Sequence, residues 1–245
     1  MNTVGVEVGN SNIKIGIFAG KRLKDVFLSP TEDIKRLDIP VTLKKIGPVF
    51  TVIASVVPVI NNLLKKKFAS ISKDIFFITP FDCGLPLKVK NPKGVGVDRV
   101  LNCKAAINLF NSDVVVVDIG TAITVDYASQ KGFMGGVIIP GPSLWRVSLT
   151  TTGMIKDIKE TEARIPGKDT SEAIECGIRY GLPGAINSIV YAYKKKYPSA
   201  KVILTGGWSK RFSRYVEFDC LKRYLTLEGL GMVLYERCEK SGNKM

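Results

Sequence analysis

Two short stretches of this chain hold the parts of a phosphate-handling device. They are Val4-Gly5-Val6-Glu7-Val8-Gly9-Asn10-Ser11-Asn12-Ile13 and Val115-Val116-Val117-Asp118-Ile119-Gly120-Thr121-Ala122-Ile123-Thr124. In each, an apolar strand reaches a carboxylate, then an apolar residue, a glycine and a polar Asn or Thr before a second strand begins. The glycine lets backbone N–H groups approach a phosphoryl oxygen, the amide or hydroxyl donates to it, and the carboxylate holds magnesium or its waters. One copy alone is compatible with any tight hairpin. Two copies facing each other across a cleft would clamp a nucleoside triphosphate, and a third turn, Leu204-Thr205-Gly206-Gly207, can admit the backbone to an adenosine. The candidate ATP and phosphate ligands are therefore Glu7, Gly9, Asn10, Ser11, Gly120, Thr121, Gly206 and Gly207, with Glu7 and Asp118 as magnesium carboxylates acting through water.

Other chemistries are closed to this chain. It has 245 residues and no histidine, which removes Ser-His-Asp and Cys-His nucleophilic machinery, His-ligated zinc or haem, and any imidazole base. Cys83, Cys103, Cys176, Cys220 and Cys238 are scattered, odd in number and free of any C-x-x-C pair. That usage points to a reducing cytoplasm rather than to a disulfide framework or structural zinc. With 36 Lys+Arg against 22 Asp+Glu the chain carries a formal +14, which attracts nucleotides and phosphorylated metabolites as readily as nucleic acid. Lys65-Lys66-Lys67 and Lys194-Lys195-Lys196 fall at the polar ends of helix-like segments and read as solvated faces, with no aromatic–basic interleaving to stack bases. Nucleic acid is not the expected partner, and neither is a membrane. The longest apolar stretch, from Val49 to Ile60, contains Pro58 and is too short for a bilayer. No basic region precedes the apolar start.

The elements that must position these residues follow from pattern. Segments 3–8, 12–18 and 23–28 read as a strand meander. A helix over 31–37 with Thr31 as its N-cap comes next, then a buried strand at 49–57, a helix over 58–69 and an apolar run at 74–78. An irregular loop at 80–96 delivers a helix over 98–110, and Asn111-Ser112-Asp113 breaks it. Because the opening pattern then starts over, internal duplication is expected with a boundary near 112, giving domains 1–112 and 113–245. The second half carries a Gly-rich hairpin at 132–136, a Pro-Gly-Pro turn at 140–142, a helix over 171–197 kinked or broken by Gly181 and Pro183, a strand at 201–204 and a last helix over 227–240. Strands alternating with helices after a meander define an α/β layered class.

Six ordered motifs spread over nearly the whole chain resemble the type III pantothenate kinases of the actin-like ATPase superfamily of acetate and sugar kinases. Glu7-Val8-Gly9-Asn10-Ser11-Asn12 resembles D-x-G-N-T, and Ser55-Val56-Val57-Pro58 resembles S-V-x-P. Gly96-Val97-Asp98-Arg99 resembles G-x-D-R, and Asp118 to Asp126 resembles D-x-G-T-A-x-T-x-D. Gly135 to Gly141 resembles G-G-x-I-x-P-G, and Leu225 to Leu230 resembles L-x-L-x-G-L. The resemblance implies two duplicated ribonuclease H-like domains with a cleft between them. It also implies ATP-dependent phosphorylation of the primary hydroxyl of pantothenate to 4'-phosphopantothenate, the first step of coenzyme A biosynthesis. A homodimer, magnesium and a monovalent cation, potassium or ammonium, come with it. Position by position it makes Asp98 the base, with Gly96, Val97 and Arg99 at the substrate. Asp118 orients magnesium and the triphosphate, and Thr124 joins the phosphate ligands. Asp126 holds the monovalent cation, and Thr170 reaches the substrate across the dimer interface. A carboxylate at a helix start can point into a cleft while the adjacent guanidinium pairs with an anionic substrate.

Plainer readings stand beside these. Asp98 could be an N-cap with a solvated Arg99, Asp126 a strand-terminal surface residue and Thr170 an N-cap; Lys14 could project beside Glu7 and Asn12 and add positive charge near phosphates if the strand alternates, but reads rather as an exposed strand lysine. Trp145 reads as core or interface, Trp208 as at most an edge of an adenine pocket, and Cys103 as packed apolar surface. The chain also departs from the family pattern. Glu7 stands where Asp is usual, Val89 where an aromatic shapes the substrate pocket, Thr152-Gly153-Met154-Ile155 where a Leu-Pro pair is approached, and Trp208-Ser209 follow the Gly-Gly. Glu7 motivates two alternatives: a catalytically weakened homologue with a binding or transcription-accessory role, and a kinase of a different small hydroxylated acceptor.

Overall fold

A computed structural model describes residues 2–37, 39, 43, 49–151 and 161–240. The chain divides into two compact units, one of Met1–Leu109, Lys131–Phe133 and Tyr224–Met245, the other of Phe110–Gln130 and Met134–Arg223. The expected boundary at 112 lies close to the first crossing. The closing segment from Tyr224 onward, expected in the second domain, is grouped with the first unit.

In the first unit, strands β1 (Asn2–Val8), β2 (Asn12–Ala19) and β3 (Arg22–Pro30) form the antiparallel meander, and β4 (Val49–Ser55) and β5 (Ser72–Ile78) add in parallel on the other side. The order is β3-β2-β1-β4-β5. Gly5 and Gly16 face each other across β1 and β2, and a Cβ on either would run into the Phe18 ring. The paired glycines thus make a slot that Phe18 fills. Helix α1 (Asn61–Phe68) joins β4 to β5, and α2 (Val97–Phe110) buries Val100, Leu101 and Cys103. One core gathers Val4, Val6, Ile13, Ile15, Ile53, Leu64 and Phe68.

The second unit repeats the plan. Strands β6 (Val114–Ile119), β7 (Ala122–Ser129), β8 (Gly132–Pro140), β9 (Lys201–Thr205) and β10 (Cys220–Leu221) are ordered β10-β9-β6-β7-β8, the first sheet's order read from the other edge. Helices α3 (Pro142–Thr151), α4 (Thr170–Cys176), α5 (Leu182–Lys196) and α6 (Ser209–Phe212) belong to this unit, and α7 (Leu225–Lys240) returns to the first, packing on β1. The second core holds Val115, Val117, Ile123, Leu182, Ile186, Val202 and Leu204. Both lysine runs fall in last turns, of α1 and α5, where cations oppose the helix dipole.

Several expected elements take a different form. The helix over 31–37 reduces to one 3-10 turn, Ile34–Arg36, without a side-chain cap. Thr31 does not cap it because its hydroxyl donates to the Gly9 carbonyl at 2.7 Å. The helix over 58–69 opens as a 3-10 turn at Pro58–Ile60 before α1. The segment from 171 to 197 is not broken: α4 runs through a π turn, Gly177–Gly181, into α5. That wider turn directly precedes Pro183, the second residue of α5, where a residue without an N–H interrupts the regular ladder. The Gly-rich stretch at 132–136 is the body of β8 rather than a hairpin tip. Helices α3 and α6 and strand β10 were not anticipated. Thr152-Gly153-Met154-Ile155 lie outside the described residues.

Candidate active site

The two phosphate hairpins share a carboxylate, a glycine turn and a parallel neighbour strand, but their turns differ by one residue. Register pairs Val8 with Ile13, leaving Gly9 to Asn12 in the first turn, whereas Ile119 pairs with Ile123, leaving Gly120 to Ala122 in the second. The ungapped alignment of the two stretches therefore slips after the turn, and the residue opposite Glu7 is Lys14 where the residue opposite Asp118 is Thr124. The first turn is closed by Gly9 N–H donating to Asn12 O at 2.9 Å and by Thr31. The exposed Asn10 and Ser11 form its tip.

Lys14 is not an exposed strand lysine. Its ammonium lies 2.5 Å from Glu7 Oε1, with both side chains largely buried. Strand alternation puts the two on one face of the sheet. The second carboxylate oxygen, Glu7 Oε2, is buried with no hydrogen-bond partner among the described residues. Burial raises the Glu7 pKa above the usual carboxylate range; Lys14 works against that shift and the nearby Asp98 charge adds to it. Glu7, Lys14 and Asp98 therefore form one electrostatic group within the first unit.

Asp98 sits inside the first turn of α2 rather than at its cap, and its Oδ1 accepts the Arg99 N–H at 2.9 Å. Burial raises its pKa, opposed by the Arg99 amide and guanidinium and by Lys14. A Cβ on Gly96 would collide with Asp98 Oδ1, so glycine there leaves the carboxyl room to lie as it does. Arg99 is not simply solvated: its guanidinium lies 5.4 Å from the centroid of the buried Phe133 ring. That ring is held by Phe133 N–H donating to Pro86 O and by Lys88 N–H donating to Phe133 O, each at 2.8 Å. Val97 is buried in the same turn. No signal in the sequence linked Phe133 to Arg99.

In the second unit three backbone segments converge on Asp118. Gly206, at φ 97°, approaches so closely that a Cβ would strike Asp118 Oδ1 and the Ile119 carbonyl. Trp208 N–H donates to Ile119 O at 3.0 Å, which locks the Gly206-Gly207 turn beside the hairpin. From the other side Gly141 N–H donates to Thr121 O at 3.0 Å. The Thr124 hydroxyl, across from Asp118, is buried without a hydrogen-bond partner among the described residues. Asp126 is not a surface residue: it lies mid-strand in β7, 1% exposed, under Gly136, whose missing Cβ makes room for its Oδ1. A buried carboxylate needs a partner of opposite charge or several donors. Trp145 and Trp208 both pack against the second core as half-buried residues, and Cys103 is buried.

Thr170 begins α4 but does not cap it; Asp169 does, its Oδ1 accepting Glu172 N–H at 2.9 Å. The Thr170 side chain is left exposed. The structure thus assembles Glu7, Gly9, Gly96, Val97, Asp98 and Arg99 in one unit and Asp118, Gly120, Thr121, Thr124, Gly206 and Gly207 in the other, with Asp126 and Thr170 at separate places in the second.

Magnesium suits carboxylates that hold it through waters, and the unpartnered Glu7 Oε2 is a donor of that kind. Among the described residues no group of three or more His, Cys, Asp or Glu gathers as a metal cage, and no helix is long and apolar enough to cross a membrane.

Comparison with known proteins decides the lineage. The sequence model of the type III pantothenate kinase family matches residues 3–192. A type III pantothenate kinase from Geobacillus thermodenitrificans is 33% identical over 257 residues, covering 97% of this chain and 98% of its own. The chain belongs to the type III pantothenate kinase family. Membership places it among kinase enzymes. A second relative of the same name, from Geobacillus sp. strain WCH70, is 34% identical over 252 residues, 95% of this chain and 96% of its own. Among solved structures, a Baf family protein from Campylobacter jejuni aligns with TM-score 0.61 at 20% identity, covering 96% of this chain and 99% of its own. The activator of 2-hydroxyisocaproyl-CoA dehydratase from Clostridium difficile, solved with ADPNP, aligns with TM-score 0.55 at 12% identity over 100% and 98% of the two chains. These likenesses establish the duplicated α/β architecture.

Proposed function

We propose that this protein transfers the γ-phosphoryl group of ATP to the primary hydroxyl of pantothenate, giving 4'-phosphopantothenate and ADP, the first step of coenzyme A biosynthesis. The observation that carries the reading is the end-to-end likeness to relatives named for this reaction. The turns at Gly9-Asn10-Ser11, Gly120-Thr121 and Gly206-Gly207 and the Thr124 hydroxyl bind the phosphates and adenosine of the nucleotide. Asp98 takes the proton of the attacking hydroxyl as the oxygen–phosphorus bond forms and the bond to ADP breaks. A carboxylate raised by burial is a stronger base than one in water, which suits that task. Arg99 pairs with the carboxylate of pantothenate, beside Gly96 and Val97. Glu7, through Oε2, and Asp118 hold magnesium by way of its waters, and the ion when bound neutralises charge on the triphosphate. Asp126 holds a potassium or ammonium ion. Thr170, exposed at the head of α4, reaches the substrate of a partner copy in a homodimer, and the cytoplasm supplies the substrates.

The test is ADP release from ATP, magnesium and pantothenate, with and without potassium or ammonium, in the parent and in Asp98→Asn. Cation-dependent turnover that needs pantothenate and vanishes in Asp98→Asn supports the reading; turnover indifferent to pantothenate refutes it. One observation favours a second reading, a homologue of lowered turnover: Lys14 occupies one oxygen of the carboxylate that stands where the family has Asp. On that reading Glu7→Asp gains activity over the parent.

A further inference from the structure

Of the six ordered motifs, the closing one, Leu225 to Leu230, has no part in the reaction described above. Its leucines, Leu225, Leu227 and Leu230, are fully buried. Its other two contacts point at α2. Thr226 and Gly229 are three residues apart and so share one side of α7, and they meet consecutive residues of α2. The Thr226 hydroxyl donates to Asn102 Oδ1 at 2.9 Å, with Thr226 3% and Asn102 1% exposed. Gly229 comes so near that a Cβ there would stand 2.3 Å from Leu101 O. Further along the same two helices, Lys104 Nζ pairs with Glu236 at 2.8 Å.

Asn102 follows Asp98 by four residues, one turn of helix, so both fall on the same side of α2. Helix α7 also packs on β1, the strand that carries Glu7, and Glu7 feels the Asp98 charge. One helix therefore grips both elements that bear these carboxylates. Space alone could be filled by apolar side chains, since exchanging both members of a buried hydrogen bond for apolar groups of the same shape is nearly neutral. A hydrogen bond adds direction, because it holds at one length and angle. Here that direction fixes the rotation of α2 about its axis, while the missing Cβ at 229 fixes how closely the helices lie.

We infer that Thr226 is a positioning residue for Asp98: through Asn102 it sets the rotation of the first turn of α2 and so the aim of the Asp98 carboxyl, without touching the reacting atoms, a role that rests on the reading of Asp98 as the base.

The experiment uses the full chain and two variants. Thr226→Val keeps the shape and removes the hydroxyl; Thr226→Ser keeps the hydroxyl and removes a methyl. Steady-state kinetics well below the unfolding temperature are measured beside ATP titration calorimetry and hydrogen exchange of the α2 amides. Thr226→Val is expected to lower kcat about tenfold, less than the ~100-fold that a misplacement of about 1 Å costs. ATP affinity should stay within about twofold of the parent, since the loss falls on the chemical step, and the amides of 99–103 should exchange faster. Thr226→Ser should bring kcat back to within about twofold of the parent. Glu236→Gln, which breaks the half-exposed pair further along, should leave kcat unchanged. If Thr226→Val lowers the unfolding temperature but keeps the parent's kcat, the contact is structural and the inference fails. It fails equally if Thr226→Ser is as slow as Thr226→Val, or if Glu236→Gln loses as much kcat. A parent with no pantothenate-dependent turnover refutes the proposed reaction instead, whereas unchanged amide exchange in Thr226→Val refutes the tie whatever the acceptor.

Discussion

Adjacent glycines at 206 and 207 should respond very differently to the same added methyl group. Gly206 has φ 97°, a conformation that an L side chain enters at about 1–2 kcal/mol. Its new Cβ would also lie 2.5 Å from Ile119 O and 2.7 Å from Ile119 C, backbone atoms of a residue that β6 holds in register with Ile123 of β7. Overpacking of that kind costs about 1–3 kcal/mol. Taken together, Gly206→Ala should lose about 3 kcal/mol, which for a chain of this size lowers the unfolding temperature by about 6–12 °C. It should also weaken ATP binding, because the turn can relieve the clash only by moving off Asp118. Gly207 is exposed, has no atom within 4 Å of an added Cβ and does not share the positive φ. Gly207→Ala should change stability by no more than about 0.5 kcal/mol. Urea and thermal unfolding of the two variants beside the parent, followed by ATP titration, checks both. A Gly206→Ala protein as stable as the parent, or a Gly207→Ala protein the more damaged of the two, refutes the geometry.

Asp98 should set the acid limb of the pH–rate profile. Because burial raises its pKa, kcat/KM should fall at a higher pH than an ordinary carboxylate gives, and Asp98→Asn should abolish turnover across the range. Lys14→Met removes the ammonium from the buried Glu7 carboxylate, and breaking such a pair costs about 3–5 kcal/mol. The loss should be largest near neutral pH and shrink as pH falls and Glu7 protonates, since its folded pKa is raised. The double variant Glu7→Gln/Lys14→Met should recover most of the stability in urea unfolding. Asp82 has the opposite sign: burial alone would raise its pKa, but the Thr79 amide and hydroxyl and the Arg237 guanidinium outweigh it and leave it lowered. Its contribution is present above the unfolded pKa and lost as pH falls through the folded one. Asp82→Asn should therefore cost about 1 kcal/mol at pH 7 and nothing once the parent's carboxyl is protonated in acid.

The fold was legible where local pattern and tertiary structure agree. The hairpins announced themselves because Glu7-Val8-Gly9 and Asp118-Ile119-Gly120 combine strand residues, a carboxylate and a turn glycine in one short window. Helix α3 stayed hidden because its proline, Pro142, reads equally as a turn and as a first helical residue. Lys14 was misjudged because alternation gives the face of a side chain but not what covers that face. The plainer reading of Asp126 as a surface residue fails for the same reason, its burial being the work of Gly136 on the neighbouring strand. Phe133 under Arg99 joins residues tens of positions apart in sequence, and neither spacing nor residue type marks the contact.

The return of α7 to the first sheet has a bearing on synthesis. Gly231 packs against Phe18, and Leu230 lies against Gly5, so this face of β1 and β2 stays uncovered until residues beyond 225 have left the ribosome. The second unit, by contrast, is drawn from 110–130 and 134–223 and has all of its strands by Leu221. Although domains usually fold in the order they are made, here the later unit can close first while the earlier one waits with an apolar flank exposed. A nascent chain halted shortly after 223 would present that flank to chaperones.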